Sequence, residues 1–345
     1  MYTLIFTTNP GIEDIAAEEI AAKLNASIVS ADKLRGRVIA KVAEDKLYRV
    51  DLLRSIHRAR ILLGETSVCR ERACLEHIRE FIETLPLSEY ITPRVSFAVR
   101  AERVGEHEYT SLDIARVAGD AVINLVRSVY GERPPVDLDH PHVIIAVDVM
   151  FDKLYVSIEL GGDLSWHRRG YRVYEHPASL KPTLAYAMLI ISGVRDSEVV
   201  MDPMCGGGTI PIEALLFLED ARAICSDFNP LHIRGAKMNA MAARVYKRMK
   251  FYVHDARRIS EVVKSVDRIV LNPPYGIRLG NPRDIRALYT DFLREISRLD
   301  FRRLVMITTE HVHVKNVAER IGLKIVHERV VAHGNLWPKI LALEH

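Results

Sequence analysis

The second half of the chain repeats one pattern, in which a short apolar run rich in β-branched residues precedes a longer amphipathic stretch. Such runs are typical of buried parallel strands that are connected by helices. The predicted strands are Val199–Met201, Arg222–Ser226, Phe251–Ala256, Val266–Leu271 and Arg303–Thr308, followed by an antiparallel edge pair, Leu323–Ala332 and Lys339–Leu343. The pattern therefore predicts an α/β fold in which residues 181–345 form a doubly wound, seven-stranded sheet.

The first half alternates strands and helices in a looser order, which predicts two smaller α+β units. Residues 1–60 contain strand patterns at Tyr2–Thr7 and Val38–Ala40, and helical patterns at Gly11–Leu24 and Glu44–Ile56. Residues 61–162 contain helical patterns at Ala73–Leu85 and Ser111–Tyr130, and strand patterns at Arg94–Arg100, Val143–Val149 and Lys153–Glu159. The basic segment 163–180, which follows Gly161 and Gly162, is predicted to link these units to the doubly wound domain at 181–345.

Three consecutive glycines, Gly206 to Gly208, follow the first strand of that domain and precede a helix. A turn without Cβ atoms lets a ligand approach the backbone, and the helix N-terminus offers it free N–H groups. The turn is neither G-x-G-x-x-G nor G-x-x-x-x-G-K-[ST], which disfavours a dinucleotide or a triphosphate. Asp202, just before the turn, would repel a pyrophosphate and attract a cation. These residues favour S-adenosylmethionine, which carries an ammonium and a sulfonium, over an ordinary structural turn.

Polar residues also end the next three predicted strands. Asp227 ends the second strand, where an acidic residue usually binds ribose hydroxyls. Asp255, followed by Ala256, ends the third strand and is suited to accept a hydrogen bond from an adenine amino group. The fourth strand runs into Asn-Pro-Pro-Tyr at 272–275. One carboxylate after each of three strands, followed by this loop, is a specific arrangement.

The Asn-Pro-Pro-Tyr loop has the composition of an amine-binding site. Two prolines stiffen it and remove two N–H donors, so the loop presents acceptors. The Asn272 side-chain oxygen and the Pro273 carbonyl can then accept both protons of one exocyclic NH2 group, while Tyr275 offers a flat face to the base. Holding both protons aims the nitrogen lone pair at a methyl donor, and such positioning contributes on the order of 7–11 kcal/mol.

Asp-Pro-Met-Cys-Gly-x-Gly-Thr at 202–209, together with Asn-Pro-Pro-Tyr-Gly at 272–276, resembles the motif pair of Rossmann-type N2-guanine RNA methyltransferases. Within these, the chain is similar to the THUMP-containing tRNA guanine-N2-methyltransferases. The segments 166–172 and 179–185 also resemble that family's entry to its catalytic domain. The resemblance implies a ferredoxin-like domain at 1–60, a THUMP RNA-binding domain at 61–162 and tRNA as the partner. Gly207 departs from the pattern, because relatives often carry Ser or Thr there.

The resemblance and the residue chemistry together define the candidate site. The expected catalytic residues are Asn272, Pro273, Pro274 and Tyr275. The residues expected to bind S-adenosylmethionine are Thr183, Asp202, Cys205, Gly206, Gly207, Gly208, Thr209, Asp227, Asp255, Ala256 and Asn272. Thr183 is the weaker candidate among them, for the methionine carboxylate.

The basic charge of the chain lies in its second half. Residues 1–170 carry 22 Lys and Arg and 26 Asp and Glu, a net of −4, so the whole-chain charge of +3 leaves +7 on residues 171–345. Such a bias favours contact with phosphates, although a solvated ion-pair network is the alternative. The candidate RNA-binding residues are Arg35, Arg168, Arg169, Arg172, Lys181, Arg278 and Arg283.

Several other classes are disfavoured. The four cysteines have no C-x-x-C spacing and the histidines lack metal-ligand spacing, so neither a metal site nor a disulfide framework is predicted. The chain shows no apolar run of membrane-spanning length and no signal-peptide pattern, which favours the cytoplasm. It contains no glutamine and abundant ion-pairing residues, a composition that leans towards a thermophilic source. The sequence is compatible with a monomer and does not determine the oligomeric state.

The sequence therefore predicts a tRNA methyltransferase that modifies the exocyclic N2 of a guanosine. The three-part chain looks most like enzymes that act at position six in the acceptor stem. Methylation at position ten or of ribosomal RNA stays open, although relatives acting at position ten more often carry Asp in place of Asn272. Alternatives of other classes are an amino-methyltransferase acting on DNA adenine or protein glutamine, and a non-catalytic RNA-binding adaptor.

Overall fold

The computed structural model describes residues 1–162, 165–166, 168–276 and 282–345, and these form two seven-stranded sheets. The first sheet has the order β2-β3-β1-β4-β7-β6-β5, with one parallel pair, β5 and β6, among antiparallel neighbours. Its strands are β1 (Tyr2–Thr8), β2 (Ser27–Ser30), β3 (Arg37–Val42), β4 (Ile56–Ser67), β5 (Phe97–Val104), β6 (Val143–Met150) and β7 (Lys153–Leu160). Its helices are α1 (Glu13–Leu24), α2 (Cys74–Glu83) and α3 (Ser111–Tyr130).

The predicted helix at Glu44–Ile56 is wrong, because its residues form 3-10 turns and the start of strand β4. Residues Glu44–Leu52 form 3-10 turns, and Ile56 begins a twelve-residue strand between β1 and β7. The apolar alternation of β4 is hidden because Arg60 points inward, where it is 4% exposed and pairs with Glu159 on β7. The predicted domain limit at residue 60 therefore falls inside a strand, and residues 1–162 share one sheet.

The second sheet has the order β10-β9-β8-β11-β12-β14-β13. Its strands are β8 (Val199–Asp202), β9 (Arg222–Asp227), β10 (Met249–Val253), β11 (Arg268–Leu271), β12 (Arg303–Thr308), β13 (Lys324–Val330) and β14 (Lys339–Glu344). Neighbours are parallel as far as β12, whereas β14 is antiparallel to both β12 and β13. The seven-stranded, doubly wound sheet and its antiparallel edge pair are thus confirmed.

Among the described residues, five α-helices accompany the second sheet: α4 (Pro182–Ser192), α5 (Thr209–Phe217), α6 (Pro230–Ala242), α7 (Pro282–Ile296) and α8 (His311–Arg320). From β8 the chain continues through β9 and β10 on one side of the sheet, and it then crosses over to β11 on the other side of β8. The strand order therefore reverses between β8 and β11. Ligands bind beyond the carboxyl ends of strands at such a point. Within the described ranges, no helix has both the length and the apolar character needed to cross a membrane.

Candidate active site

The glycine turn connects β8 to α5 with backbone that side chains rarely allow. Gly206 and Gly208 have φ values of +50° and +77°, in the left-handed region that favours glycine. A Cβ on Gly207 would lie 3.3 Å from Asn239 Nδ2, so the middle glycine also allows α6 to approach. Gly208 precedes α5, whose first residue, Thr209, is buried. The predicted strand-turn-helix unit therefore exists, and its glycines are required by conformation and by packing.

Asp202 ends β8 as a buried carboxylate. It is 3% exposed, and its Oδ1 accepts a hydrogen bond from the Met204 N–H at 3.0 Å. Burial raises the pKa of Asp202 well above its ordinary value, and the neighbouring Asp227 carboxylate raises it further. A cationic group beside Asp202 would stabilise the ionised form. The site therefore fits the ammonium of S-adenosylmethionine.

Asp227 ends β9 and holds the glycine turn. Its Oδ2 accepts from the Gly206 N–H at 3.0 Å, and its Oδ1 accepts from the Asn229 N–H at 2.9 Å. His232, in the first turn of α6, places Nδ1 3.1 Å from the same Oδ1. The residue is buried, so these bonds orient its carboxylate. His232 is not among the predicted site residues. The Asn229-Pro230 helix start, two residues after β9, is the sequence signal that would place it near Asp227.

Asp255 lies beyond the end of β10 and caps a 3-10 segment that starts at Ala256. It accepts from the backbone N–H of Arg257 at 2.9 Å and from Arg257 Nη2 at 2.6 Å. These bonds to Arg257 hold the pKa of Asp255 below its usual range, against the opposing effect of burial. Ala256 is buried. The contact of both residues with adenine stays a prediction.

Cys205 is joined to Cys225 on β9 by a disulfide that the sequence analysis did not predict. The Cα atoms are 5.6 Å apart, within the normal range for a disulfide. The Cys205 N–H also donates to the Ser226 carbonyl at 2.9 Å. The two cysteines are 20 residues apart in sequence and are brought together because β8 and β9 are neighbours. The glycine turn is thus fastened to the strand that ends in Asp227.

The Asn-Pro-Pro-Tyr loop follows β11, and its side chains bond to each other and to the linker. Asn272 Nδ2 donates to the Ala178 carbonyl at 3.2 Å, and the Tyr275 hydroxyl donates to Asn272 Oδ1 at 2.7 Å. The Pro274 carbonyl accepts from the buried Tyr289 hydroxyl at 2.9 Å. The loop is therefore braced on both sides, and the orientation of the Asn272 amide is fixed by two partners.

Tyr275 differs from the expected exposed stacking surface. Its ring packs against the core beside α4, and it meets His333 edge to face at 6.3 Å. Burial raises the pKa of Tyr275 above its usual range, so the hydroxyl stays protonated and donates to Asn272. In this conformation the half-buried Tyr275 orients the Asn272 oxygen through its hydroxyl, and stacking of its ring on the base stays a prediction.

Thr183 is not placed as predicted. The side chain is fully buried at the start of α4, and its hydroxyl donates to Asn9 Oδ1 at 2.6 Å. His57 Nε2 lies 3.2 Å from the same hydroxyl. The Thr183 side chain therefore connects the catalytic domain to the first sheet, which corrects its expected contact with a methionine carboxylate.

Arg169 is also corrected, because it forms a buried structural ion pair. Its Nε lies 3.2 Å from Oε1 of Glu213, a fully buried carboxylate on α5. Arg54 Nη1 lies 3.1 Å from Oε2 of the same residue, and the Tyr171 hydroxyl donates to Oε1 at 2.9 Å. Glu213 thus fastens the linker and the N-terminal half to the helix that follows the glycine turn.

The remaining described RNA candidates lie on several separate elements of the chain. Arg35 and Arg168 are exposed and line a cavity of about 750 Å³. Arg172 is half-buried, Lys181 precedes α4 with a pKa that burial lowers, and Arg283 is exposed on α7. Arg278 lies outside the described residues. In the part of the chain that the structure describes, no group of three His, Cys, Asp or Glu side chains could hold a metal ion.

Comparisons with known proteins agree with this geometry. Residues 169–339 match the family model described as RMKL-like, methyltransferase domain, and residues 72–159 match the THUMP domain. The fold and site therefore define a Rossmann-type, S-adenosylmethionine-dependent methyltransferase joined to a THUMP domain.

Full-length relatives narrow the family. The chain is 36% identical to the tRNA (guanine(6)-N2)-methyltransferase of Archaeoglobus fulgidus, over 97% of this chain and 90% of the relative. It is 33% identical to the Methanocaldococcus jannaschii protein of the same name, over 98% of both chains. The crystal structure of TrmN from Thermus thermophilus superposes with a TM-score of 0.82 at 30% identity, covering 100% of this chain and 99% of that one. The chain belongs to the tRNA (guanine(6)-N2)-methyltransferase family.

Proposed function

We propose that this protein transfers a methyl group from S-adenosylmethionine to the exocyclic N2 of the guanosine at position six of tRNA. The observation that carries the proposal is the placement of Asn272 next to Asp202 and Asp227, at the carboxyl ends of adjacent strands. An oriented amide acceptor beside a buried acidic pocket suits transfer from a cationic donor to an amine. The family supplies the position of the nucleotide.

The residues expected to hold the cofactor each have a distinct task. Asp202 would hold the ammonium, the glycine turn and the N-terminus of α5 would surround the methionine end, and Asp227 would accept from the ribose hydroxyls. Asp255 and Ala256 are assigned to the adenine. When bound, S-adenosylmethionine supplies an electrophilic methyl group on a sulfonium. Cys205 and Thr209 contribute through the backbone that they fix at the turn.

Asn272 and Pro273 act on the amine of the target base. Asn272 Oδ1 accepts from Tyr275, and its second lone pair is available for one N2 proton, while the Pro273 carbonyl accepts the other. Held in this way, the amine nitrogen would present its lone pair to the methyl group that S-adenosylmethionine would supply, and the methylated nitrogen would lose one proton to solvent. The guanosine must leave its helix to be reached, which costs a few kcal/mol.

The basic cavity supports contact with the tRNA backbone. It opens between the first sheet and the turn before β14, and Lys33, Arg35, Arg168, Phe151 and Trp337 are among its lining residues. The Arg35 guanidinium lies 4.4 Å from the centre of the Phe151 ring. Cations interleaved with aromatic rings are suited to phosphates and unpaired bases. We assign Arg35 and Arg168 to RNA contact, with Arg172, Lys181 and Arg283 as further candidates.

The test is incubation with unmodified tRNA transcripts and methyl-labelled S-adenosylmethionine, followed by nucleoside analysis and mapping of the modified position. The proposal predicts N2-methylguanosine at position six. The same nucleoside at position ten would preserve the chemistry and contradict the assigned position. Label in DNA, ribosomal RNA or protein, with none in tRNA, would overturn the substrate. An Asn272→Ala variant should retain cofactor binding and lose transfer, which separates catalysis from simple RNA binding.

A further inference from the structure

Segment 174–179 of the linker lies between the glycine turn and the Asn-Pro-Pro-Tyr loop. Tyr174 is held by Asn239, whose Nδ2 also donates to the Gly207 carbonyl at 2.8 Å. Two residues further on, the His176 ring lies 3.4 to 3.6 Å from the position that a Cβ on Gly206 would take. The linker therefore packs directly on the turn that is assigned to the cofactor.

On one side, His176 contacts His232, which in turn bonds to the carboxylate assigned to the ribose. The His176 and His232 rings meet edge to face with centres 4.4 Å apart, and we call these two residues the histidine pair. His232 Nδ1 donates to Asp227 Oδ1, while its Nε2 accepts from Asn229 Nδ2 at 3.2 Å. The Asn229 amide orientation is set because its Oδ1 accepts from Leu231 N–H. With these partners, Nδ1 of His232 is the hydrogen-bond donor and Nε2 is the acceptor.

On the other side, His176 reaches the amide assigned to the target amine. The Ala178 N–H lies 3.2 Å from His176 Nδ1, so this ring nitrogen is the acceptor. The Ala178 carbonyl accepts from Asn272 Nδ2, also at 3.2 Å. A continuous series of contacts therefore runs from Asp227 through the histidine pair and Ala178 to Asn272. Both ends of the series belong to the proposed reaction site.

We propose that His176 is a positioning residue that couples binding at Asp227 to the orientation of Asn272. The inference rests on the proposed function, which assigns the ribose to Asp227 and the amine to Asn272. Asp227 Oδ1 already accepts from Asn229 and from His232. A new donor at this oxygen competes with His232, and a shift of His232 reaches Asn272 through the ring contact and Ala178.

Such coupling is reciprocal, so it can be measured as a change in binding affinity. Isothermal calorimetry would measure the binding of S-adenosylhomocysteine, which cannot donate a methyl group, and of an unmodified tRNA transcript, each alone and in the presence of the other. Wild-type protein should show each ligand changing the affinity of the other by the same factor, on the order of 5-fold or more.

Two variants test whether the coupling needs the Nδ1 hydrogen bond as well as ring packing. His176→Ala removes both the ring contact and the Nδ1 acceptor, whereas His176→Phe retains a ring against Gly206 and His232. Both variants should bind each ligand alone, and in both the coupling factor should fall towards one. His77→Ala, an exposed histidine on α2, is the control and should retain the wild-type factor.

An unchanged factor in folded His176→Ala or His176→Phe would overturn the inference. A wild-type factor of one, with both ligands bound, would also overturn it and would leave the proposed function standing. Wild-type protein that binds neither ligand would instead contradict the proposed function itself. Thermal unfolding of each variant establishes that a lost factor does not reflect a lost fold.

Discussion

Two pairs of buried carboxylates, one pair in each sheet, have opposite surroundings. In the first sheet, Asp148 Oδ2 and Glu159 Oε1 lie 2.6 and 2.8 Å from the guanidinium of Arg60, and Arg37 also pairs with Asp148. In the second sheet, Asp202 and Asp227 form no ion pair with any described Lys or Arg, and they accept from backbone N–H groups and from His232. Burial alone therefore does not identify a ligand site, and neither does a missing cation, because buried Glu13 on α1 accepts from the Gly11 and Gly36 N–H groups without an ion pair to any described Lys or Arg. Asp202 and Asp227 differ from Glu13 because they lie at the carboxyl ends of strands, beside the point where the strand order reverses.

The largest expected effect is the loss of stability when Arg60, the buried cation of the first sheet, is replaced. Arg60→Met leaves the buried Asp148 and Glu159 without their shared partner, and breaking a buried pair in this way costs about 3–5 kcal/mol. Thermal unfolding should therefore shift down strongly, while calorimetric affinity for S-adenosylmethionine stays at the wild-type value. Arg94→Met, at an exposed position, is the control. A large loss of cofactor affinity in folded Arg60→Met would contradict the contrast between the two sheets.

Removing the charge from the second sheet should affect binding. Asp202→Asn keeps the shape of the side chain and abolishes its attraction for an ammonium, so the affinity for S-adenosylmethionine should fall on the order of 100-fold. Calorimetry on Asp202→Asn and on the exposed-site control Asp220→Asn measures this. Equal affinity in the two variants would show that Asp202 does not face the cation.

The stability of the ligand-free protein should respond to pH in the direction that Asp202 sets. Because burial raises its pKa above the ordinary 3.8, the folded chain holds a proton that the unfolded chain releases. The contribution of Asp202 to wild-type stability should therefore fall as pH rises from 3.8 through the folded-state pKa. The melting temperature of Asp202→Asn, relative to wild type, should rise over the same window. A difference that is constant with pH would contradict the assignment.

The smallest expected effects distinguish the roles of two adjacent arginines, Arg168 and Arg169. Arg168→Ala should weaken tRNA binding several-fold and lower the salt dependence of the affinity by about one phosphate contact, without loss of stability. Arg169→Ala should instead lower the melting temperature, because buried Glu213 loses one of its partners. Filter binding over a salt series and thermal unfolding measure the two effects. The reverse outcome would return Arg169 to the RNA-binding surface.

The catalytic sheet was predictable because its features are local in sequence. A buried strand, a glycine turn and a following helix are adjacent in the chain, so 199–217 and the 268–275 strand and loop are visible without knowledge of the fold. The structure confirms the seven-stranded, doubly wound sheet and the antiparallel edge pair that these patterns predicted. Strand β4 was missed because its inward arginine is neutralised by β7, about one hundred residues away.

The errors within the site have the same origin. Thr183 and Arg169 have the right residue types for their expected roles, but Asn9 and Glu213 occupy their hydrogen-bonding groups. The Cys205–Cys225 disulfide depends on the pairing of β8 with β9, which spacing in sequence does not reveal. Motifs of this kind identify a pocket, whereas long-range partners decide which side chains remain available to a ligand.

The most direct measurement compares methyl transfer to two tRNAs that differ by one amino group. One transcript carries guanosine at position six, and the other carries inosine, which lacks the exocyclic N2 amine, with all other nucleotides identical. We expect full incorporation of label into the first tRNA and background incorporation into the second, with both tRNAs bound comparably. Undiminished transfer to the inosine-containing tRNA would show that the acceptor is a different atom or a different nucleotide.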